Sequence, residues 1–350
     1  MPCTRPRPAA ATLVLGAVLA CGLILAPPAR AIDQALIDAA KKEGEVVWYT
    51  TVIINQLVRP IADNFEKMYG VKVKYVRANA SDTALKIINE ARAGKVLADL
   101  FDGTSATPPL KEAGLVARFL PEGAKALAPQ FVDKDEQWIA THAYYMTPGF
   151  NTDLVPIKSA PRTFDDLLDP KWRGKMAWNS STSSSGGPGF VGNVLTTMGE
   201  AKGMDYLKKL AGQNIINMDV SARQLLDQAI AGEFPIALQI FNHHAVISAK
   251  KGAPVSWVPI EPVTATLSVV SLLKDAPRPN AGKLLIEYMV SEAGQKLFEA
   301  ADYLPVHPKV KARVPELTPE GGGFKVNVIS PETLGEKLPE WKKISDQLFR

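Results

Sequence analysis

Cysteine is almost missing from this chain. The 350 residues hold two, Cys3 and Cys21, and both fall within the first 31 residues. The 319 that follow have no thiol, which excludes disulfide staples, cysteine nucleophiles and cysteine-ligated zinc from that part of the chain. Histidine is nearly as scarce, at four. No run of Lys and Arg is longer than two, so the electrostatic footprint of a nucleic-acid binder is absent. The longest apolar run has about 16 residues, short of the roughly 20 that a membrane-spanning helix needs.

That run, "ATLVLGAVLACGLILA", follows Arg5 and Arg7 and ends in "PPARA", with Ala29-Arg30-Ala31 as a small-x-small cleavage signal. We read 1–31 as a cleaved export signal that delivers the rest to the periplasm. Val18-Leu19-Ala20-Cys21 also resembles a lipid-attachment box, but the apolar run continues past Cys21 through "GLILA". Lipid anchoring is therefore the weaker reading. Taking three arginines with the signal leaves 37 basic residues against 36 acidic ones, close to neutrality.

Present in abundance is alternation. "EVVWYT" (45–50) reads as a buried strand, "VKVKYV" (71–76) as a half-exposed one and "ADLFDG" as a third. The amphipathic "LVRPIADNFEKMYG" and "DTALKIINEARAG" separate them, and "TPPLKEAG" is a short helix. This β-α-β-α-β order predicts a parallel sheet covered by helices. A second such set begins near Phe150: "TFDDLLDPKWRGKMAW" predicts a helix and a strand, and "NSSTSSSGGPGF" is a Ser/Gly loop before a helix. Two long extended segments, near 139–151 and 255–273, look like crossovers between lobes, which predicts a clamshell.

The order of "EGEVVWYTT", "ADLFDGTS", "FNTDLV", "P-RTFDDLLDPKWRGKMAW", "AGEFPIAL" and "GAPVSWVPIEP" resembles periplasmic solute-binding proteins of ABC importers. The likeness covers about residues 43–306. It is to the branch of extracellular solute-binding family 1 with ferric-iron, thiamine, phosphonate and sugar-phosphate binders. It implies a type II periplasmic-binding-protein clamshell: two α/β lobes, a two-segment hinge and delivery of a small solute to a membrane permease. The expected division is 32–147 plus 267–310 for lobe 1, 148–266 for lobe 2, and 311–350 as a C-terminal segment packing on the lobes. A monomer without cofactor or nucleic-acid partner is expected.

Ligands of open α/β sheets sit beyond the carboxyl ends of strands, so the strand-to-helix junctions are the candidate sites. In the first lobe these are Thr50 and Thr51, then Asp102, Gly103, Thr104 and Ser105; caps are the competing role for the last group. In the second, Ser184, Ser185 and Gly186 open a helix whose N-terminus suits an oxyanion. Ser221 is an N-cap candidate, and Arg223 could fork onto a carboxylate or phosphate. Tyr144 and Tyr145 lie on the first crossover and point to opposite faces, so at most one faces a cleft; Tyr145 is carried as the candidate.

"FNHHA" places His243 and His244 in the first turn of a helix that Asn242 is suited to cap. Iron-binding relatives hold a tyrosine pair at this place. Imidazole suits Zn, Cu, Ni or Fe(II) better than hard ferric iron, and Thr51 and Asp102 stand where first-lobe iron ligands would be needed. Asn242 and His243 are thus read as organic-solute contacts, and a His243/His244 metal site is the alternative. His142 and His307 are read as structural.

The favoured cargo is a small anionic organic solute, phosphorylated or carboxylated; ferric iron or another metal is the alternative. A secreted hydrolase is the competing class. It would need a nucleophile, a base and an orienter, and neither G-x-S-x-G nor H-E-x-x-H occurs. A sensory module presenting ligand to a receptor would share the fold.

Overall fold

The computed structural model describes residues 1–3 and 32–349. The proposed cleavage site and Cys21 lie outside the described residues. Among these no helix is long and apolar enough to cross a membrane.

The strands are β1 Glu45–Thr50, β2 Lys72–Arg77, β3 Leu100–Asp102, β4 Ile139–Asn151, β5 Met176–Asn179 and β6 Ile216–Met218. They continue with β7 Ile236–Phe241, β8 Val255–Trp257, β9 Val263–Leu272, β10 Leu304–Pro305 and β11 Val326–Ile329. They form one curled sheet with the order β2-β1-β3-β9-β4-β7-β5-β6; β8 and β10 pair with β4, and β11 with β9. Both ends are parallel: β1 with β2 and β3, and β5 with β6 and β7. The centre is antiparallel, because β9 runs against β3 and β4, and β4 runs against β7. The two extended segments of the sequence are therefore the central pair, and each parallel block is a lobe hung on one side of it.

Each block is covered on both faces, as its near-continuous apolar strands require. In β1, Trp48 joins one cluster with Leu57, Phe65 and Leu284, and Tyr49 joins another with Ile87, Phe101 and Leu110. In β5, Trp178 packs with Phe190, Leu207 and Trp341, whereas Ala177 packs with Leu225, Leu226 and Ile240. Pleating, which sends neighbours to opposite faces, produces both splits.

The C-terminal helix Pro331–Phe349 lies against the helix Gly187–Met198. A Cβ on Gly192 would come within 2.4 Å of the Trp341 ring, so only glycine permits this approach. At its other end Glu332 accepts from Trp138 Nε1 at 2.7 Å and pairs with Lys111 at 3.0 Å.

Two local expectations need correction. The helix predicted in "TFDDLLDPKW" is instead a pair of short 3-10 turns, Asp165–Leu168 and Pro170–Trp172. Pro170 disfavours helical geometry at the residue before it, and Asp169 adopts ψ 126. Asn242 does not cap its helix. The cap position is Phe241, and the Asn242 side chain turns away to donate to the Leu317 carbonyl at 2.9 Å.

Candidate functional site

The carboxyl ends of both parallel blocks converge on a cavity of about 570 Å³. Its first-lobe wall is Thr51 after β1, Arg77 at the end of β2 with Ala78 to Ala80 after it, and Gly103, Thr104 and Ser105 after β3. Ser184 and Ser185 after β5 and Phe241 at the end of β7 form the opposite wall. Between them lie Tyr144 of β4 and Thr266 and Ser268 of β9.

Asp102 organises the first wall from behind. It is 2% exposed and accepts from Trp48 Nε1, from the Thr51 amide (both 2.8 Å) and from the Thr51 hydroxyl. Burial pushes its carboxyl upward, and those hydrogen bonds pull the other way. Thr50 is also behind the wall: it is fully buried, and its hydroxyl accepts from the Val52 amide. Gly103 has φ 132, and a Cβ there would press on Thr51 Cγ2 at 3.0 Å, so the turn requires glycine. Thr104 donates its hydroxyl to the Leu267 carbonyl, tying this wall to β9.

The Ser/Gly loop is built around Asn179, the last residue of β5 and fully buried. Its Nδ2 donates to Ser185 O at 2.6 Å, and its Oδ1 accepts from the Ser181 amide and hydroxyl. The loop closes so that Gly186 becomes the N-cap of the helix Gly187–Met198. Gly186 is buried and supports Ser184 and Ser185 without lining the cavity.

The remaining candidates lie off the wall. Tyr145 points to the far face, edge-on to Phe324 at 5.7 Å; Tyr144 is the crossover tyrosine on the cavity. Ser221 completes a capping box with Gln224. Arg223, on the same helix, is bidentate to Asp227, with Nη2 to Oδ1 at 2.6 Å. Asn242 is fully buried.

His243 is 2% exposed and sits behind Tyr144 and Phe241, with ring centroids at 5.9 Å from each. His244 is 4.3 Å away, and His142 stands 4.7 Å from Tyr144 and 4.8 Å from Tyr303. Burial holds all three imidazoles neutral: His142 is lowered to about 3, His244 to about 4, and His243 well below its ordinary value. Among the described residues, Nδ1 of both His243 and His244 has no hydrogen-bond partner. Among the described residues, no three His, Cys, Asp or Glu side chains stand together as a metal-holding group.

Arg77, Asn79, Phe241, Thr266 and Ser268 were not among the sequence candidates. Arg77 ends β2 and Asn79 follows it, so the strand-end rule that selected Thr51 and Gly103 reaches them too. Thr264, Thr266 and Ser268 are a buried polar stripe at period two on β9, a pattern with no packing reason in an otherwise apolar strand.

Two α/β blocks facing each other across a cavity, joined by two central strands, define a type II periplasmic binding fold. Iron-bound HitA of Pseudomonas aeruginosa shares it, with TM-score 0.73 and 22% identity over 87% of this chain and 99% of that one. AfuA of Actinobacillus pleuropneumoniae, solved with exogenous fructose-6-phosphate bound, gives TM-score 0.72 and 21% identity over 88% and 99%. A Salmonella paratyphi A protein named "Putative 2-aminoethylphosphonate-binding periplasmic protein" is 24% identical over 318 residues, 87% of this chain and 86% of its own. The family model for bacterial extracellular solute-binding protein matches residues 96–321, and this chain belongs to that family. Its members are substrate-binding components of transport systems.

Proposed function

We propose that the chain captures a small anionic organic solute, phosphorylated or carboxylated, and delivers it to an ABC permease by closing its lobes. The observation that carries this reading is Arg77. Among the described residues it is the one charged side chain on the cavity wall. Its Nε donates to Val52 O at 3.1 Å, which aims the guanidinium, and its Nη atoms make no hydrogen bond among the described residues. Two helices, Ala80–Arg92 and Gly187–Met198, also begin at the wall, adding partial positive charge.

The lobes in this reading are 32–147 plus 267–310 and 148–266, with the C-terminal segment buttressing both. Ligand bridging the two walls would shift the population toward the closed form. The protein acts as a periplasmic monomer after loss of 1–31. Thr51, Thr104, Ser105, Ser184 and Ser185 are direct contacts. Thr50, Asp102, Gly103 and Gly186 set their positions, and Tyr144 replaces Tyr145 as the aromatic contact. His243 and Asn242 act from behind Tyr144 and Phe241. The phosphonate and sugar-phosphate names among the relatives agree with an anion.

Iron appears in relatives' names as well, and is the second reading. It has less support, because the neutral His243/His244 pair is a poor match for hard ferric iron.

A thermal-shift screen of the chain from Ile32 onward tests the proposal, since a ligand that binds only the native state raises the melting temperature. Phosphate esters or carboxylates should stabilise it, and Arg77→Gln should weaken that binding about tenfold or more while leaving the unliganded melting temperature unchanged. Stabilisation by Fe(III) or neutral sugars alone would sink the anion reading.

A further inference from the structure

The cavity's hydroxyl groups have a direction, and it specifies what the solute must carry besides its anion. A hydroxyl has one proton to donate and two lone pairs. Thr51 donates its proton to Asp102 and Thr104 donates its proton to the Leu267 carbonyl. Ser185 is committed through a chain. Asn179 Oδ1 faces the Ser181 amide at 3.2 Å and Nδ2 faces the Ser185 carbonyl at 2.6 Å, so backbone groups fix which end of the amide is oxygen. Ser181 must then donate to Asn179 Oδ1. Ser183, 2.8 Å from Ser181, must donate to Ser181, and Ser185, 3.1 Å from Ser183, must donate to Ser183. Thr51, Thr104 and Ser185 therefore present only lone pairs to the cavity.

We propose that the solute is a polyhydroxylated anion: its phosphate or carboxylate meets Arg77, and its hydroxyls donate to Thr51, Thr104 and Ser185. A plain alkyl anion leaves these acceptors without donors once the lobes exclude water, and that costs affinity. An ammonium group could also donate, but none of the lining residues carries a carboxylate to neutralise it. Asp102, behind the first wall, is buried with both oxygens occupied. Asp82 is off the wall, held by Asn79 Nδ2 at 2.6 Å. Arg77 would repel the ammonium.

This inference rests on the anion reading above, and the test separates the two. Six linear six-carbon probes differ only in their substituents: glucitol 6-phosphate, hexyl phosphate and 6-aminohexyl phosphate, with gluconate, hexanoate and 6-aminohexanoate. By calorimetry on the chain from Ile32, the hydroxylated member of at least one series should bind about tenfold tighter than its two analogues. Thr104→Val should erase most of that difference and Thr104→Ser should keep it, with melting curves to show that both variants are folded. Equal or tighter binding of the alkyl or amino member overturns this inference alone. No binding by any of the six overturns the anion reading and this inference together.

Discussion

Two of the second lobe's strand-to-helix junctions look alike on paper and differ in space. After β5, Asn179 leads through the loop Ser180 to Gly186 into a helix, and Ser184 and Ser185 line the cavity. After β7, Phe241 passes directly into the helix Asn242–Ala249, and its polar residues are sealed beneath Tyr144 and Phe241. Loop length is the difference. A loop lets the chain present hydroxyls and helix N–H groups outward, whereas a direct transition turns the first helical side chains into the packing. A polar residue at a junction is thus a site candidate only when something separates strand from helix.

Each junction holds one fully buried asparagine, and substituting them separately would break or sharpen the contrast most. Asn179→Ala removes the side-chain bonds that tie Ser181 and Ser185 to the end of β5. It should cost about 2–4 kcal/mol of stability by urea unfolding and lower solute affinity as well. Asn242→Ala removes one bond, to Leu317, and should cost about 1–2 kcal/mol with affinity unchanged. Comparable affinity losses in the two variants would mean that the closed form uses both junctions alike.

The buried junction also titrates. His142, His243 and His244 have folded values below their unfolded one, so the unfolded chain takes up protons first as pH falls. Stability should be full above about pH 6.5 and should decline below it. The decline ends near the folded values, about 3 for His142 and about 4 for His244. Each neutral histidine contributes a slope of about 1.4 kcal/mol per pH unit within that window. His243→Phe should flatten the slope by about one such unit, read from urea unfolding at pH 7, 6 and 5. An unchanged slope would show that acid reaches His243 in the folded protein.

Much of the fold was legible because its signals are local. Strand alternation, the N-cap at Ser221 and the two crossovers depend on neighbouring residues alone. On the first-lobe wall, the strand-end rule found Thr51, Thr104 and Ser105. Arg77 stands one position past "VKVKYV", within reach of the same rule, and was not offered. Tyr144 against Tyr145 was undecidable from period two, because alternation fixes that they oppose and not which way. Asn242 escaped because its partner, Leu317, is 75 positions away. The direction of the hydroxyl chain at Ser185 likewise exists only once Asn179 has folded over it.

The smallest effect concerns Arg223, which the sequence offered as an anion fork and which instead pairs with Asp227 four residues on. Both side chains are substantially exposed, so solvent screens the pair and Arg223→Gln should change stability by no more than about 0.5 kcal/mol. Solute affinity should not move, because no atom of Arg223 is on the cavity wall. The variant has one further readout. The positive charge of Arg223 helps hold His244 low, second only to burial, so its removal should raise the His244 value and narrow the acid window. A tenfold loss of affinity would instead mean that closure strips Arg223 from Asp227 and brings it onto the ligand. The contrast between an outward-facing and a sealed junction would then not extend to the liganded form.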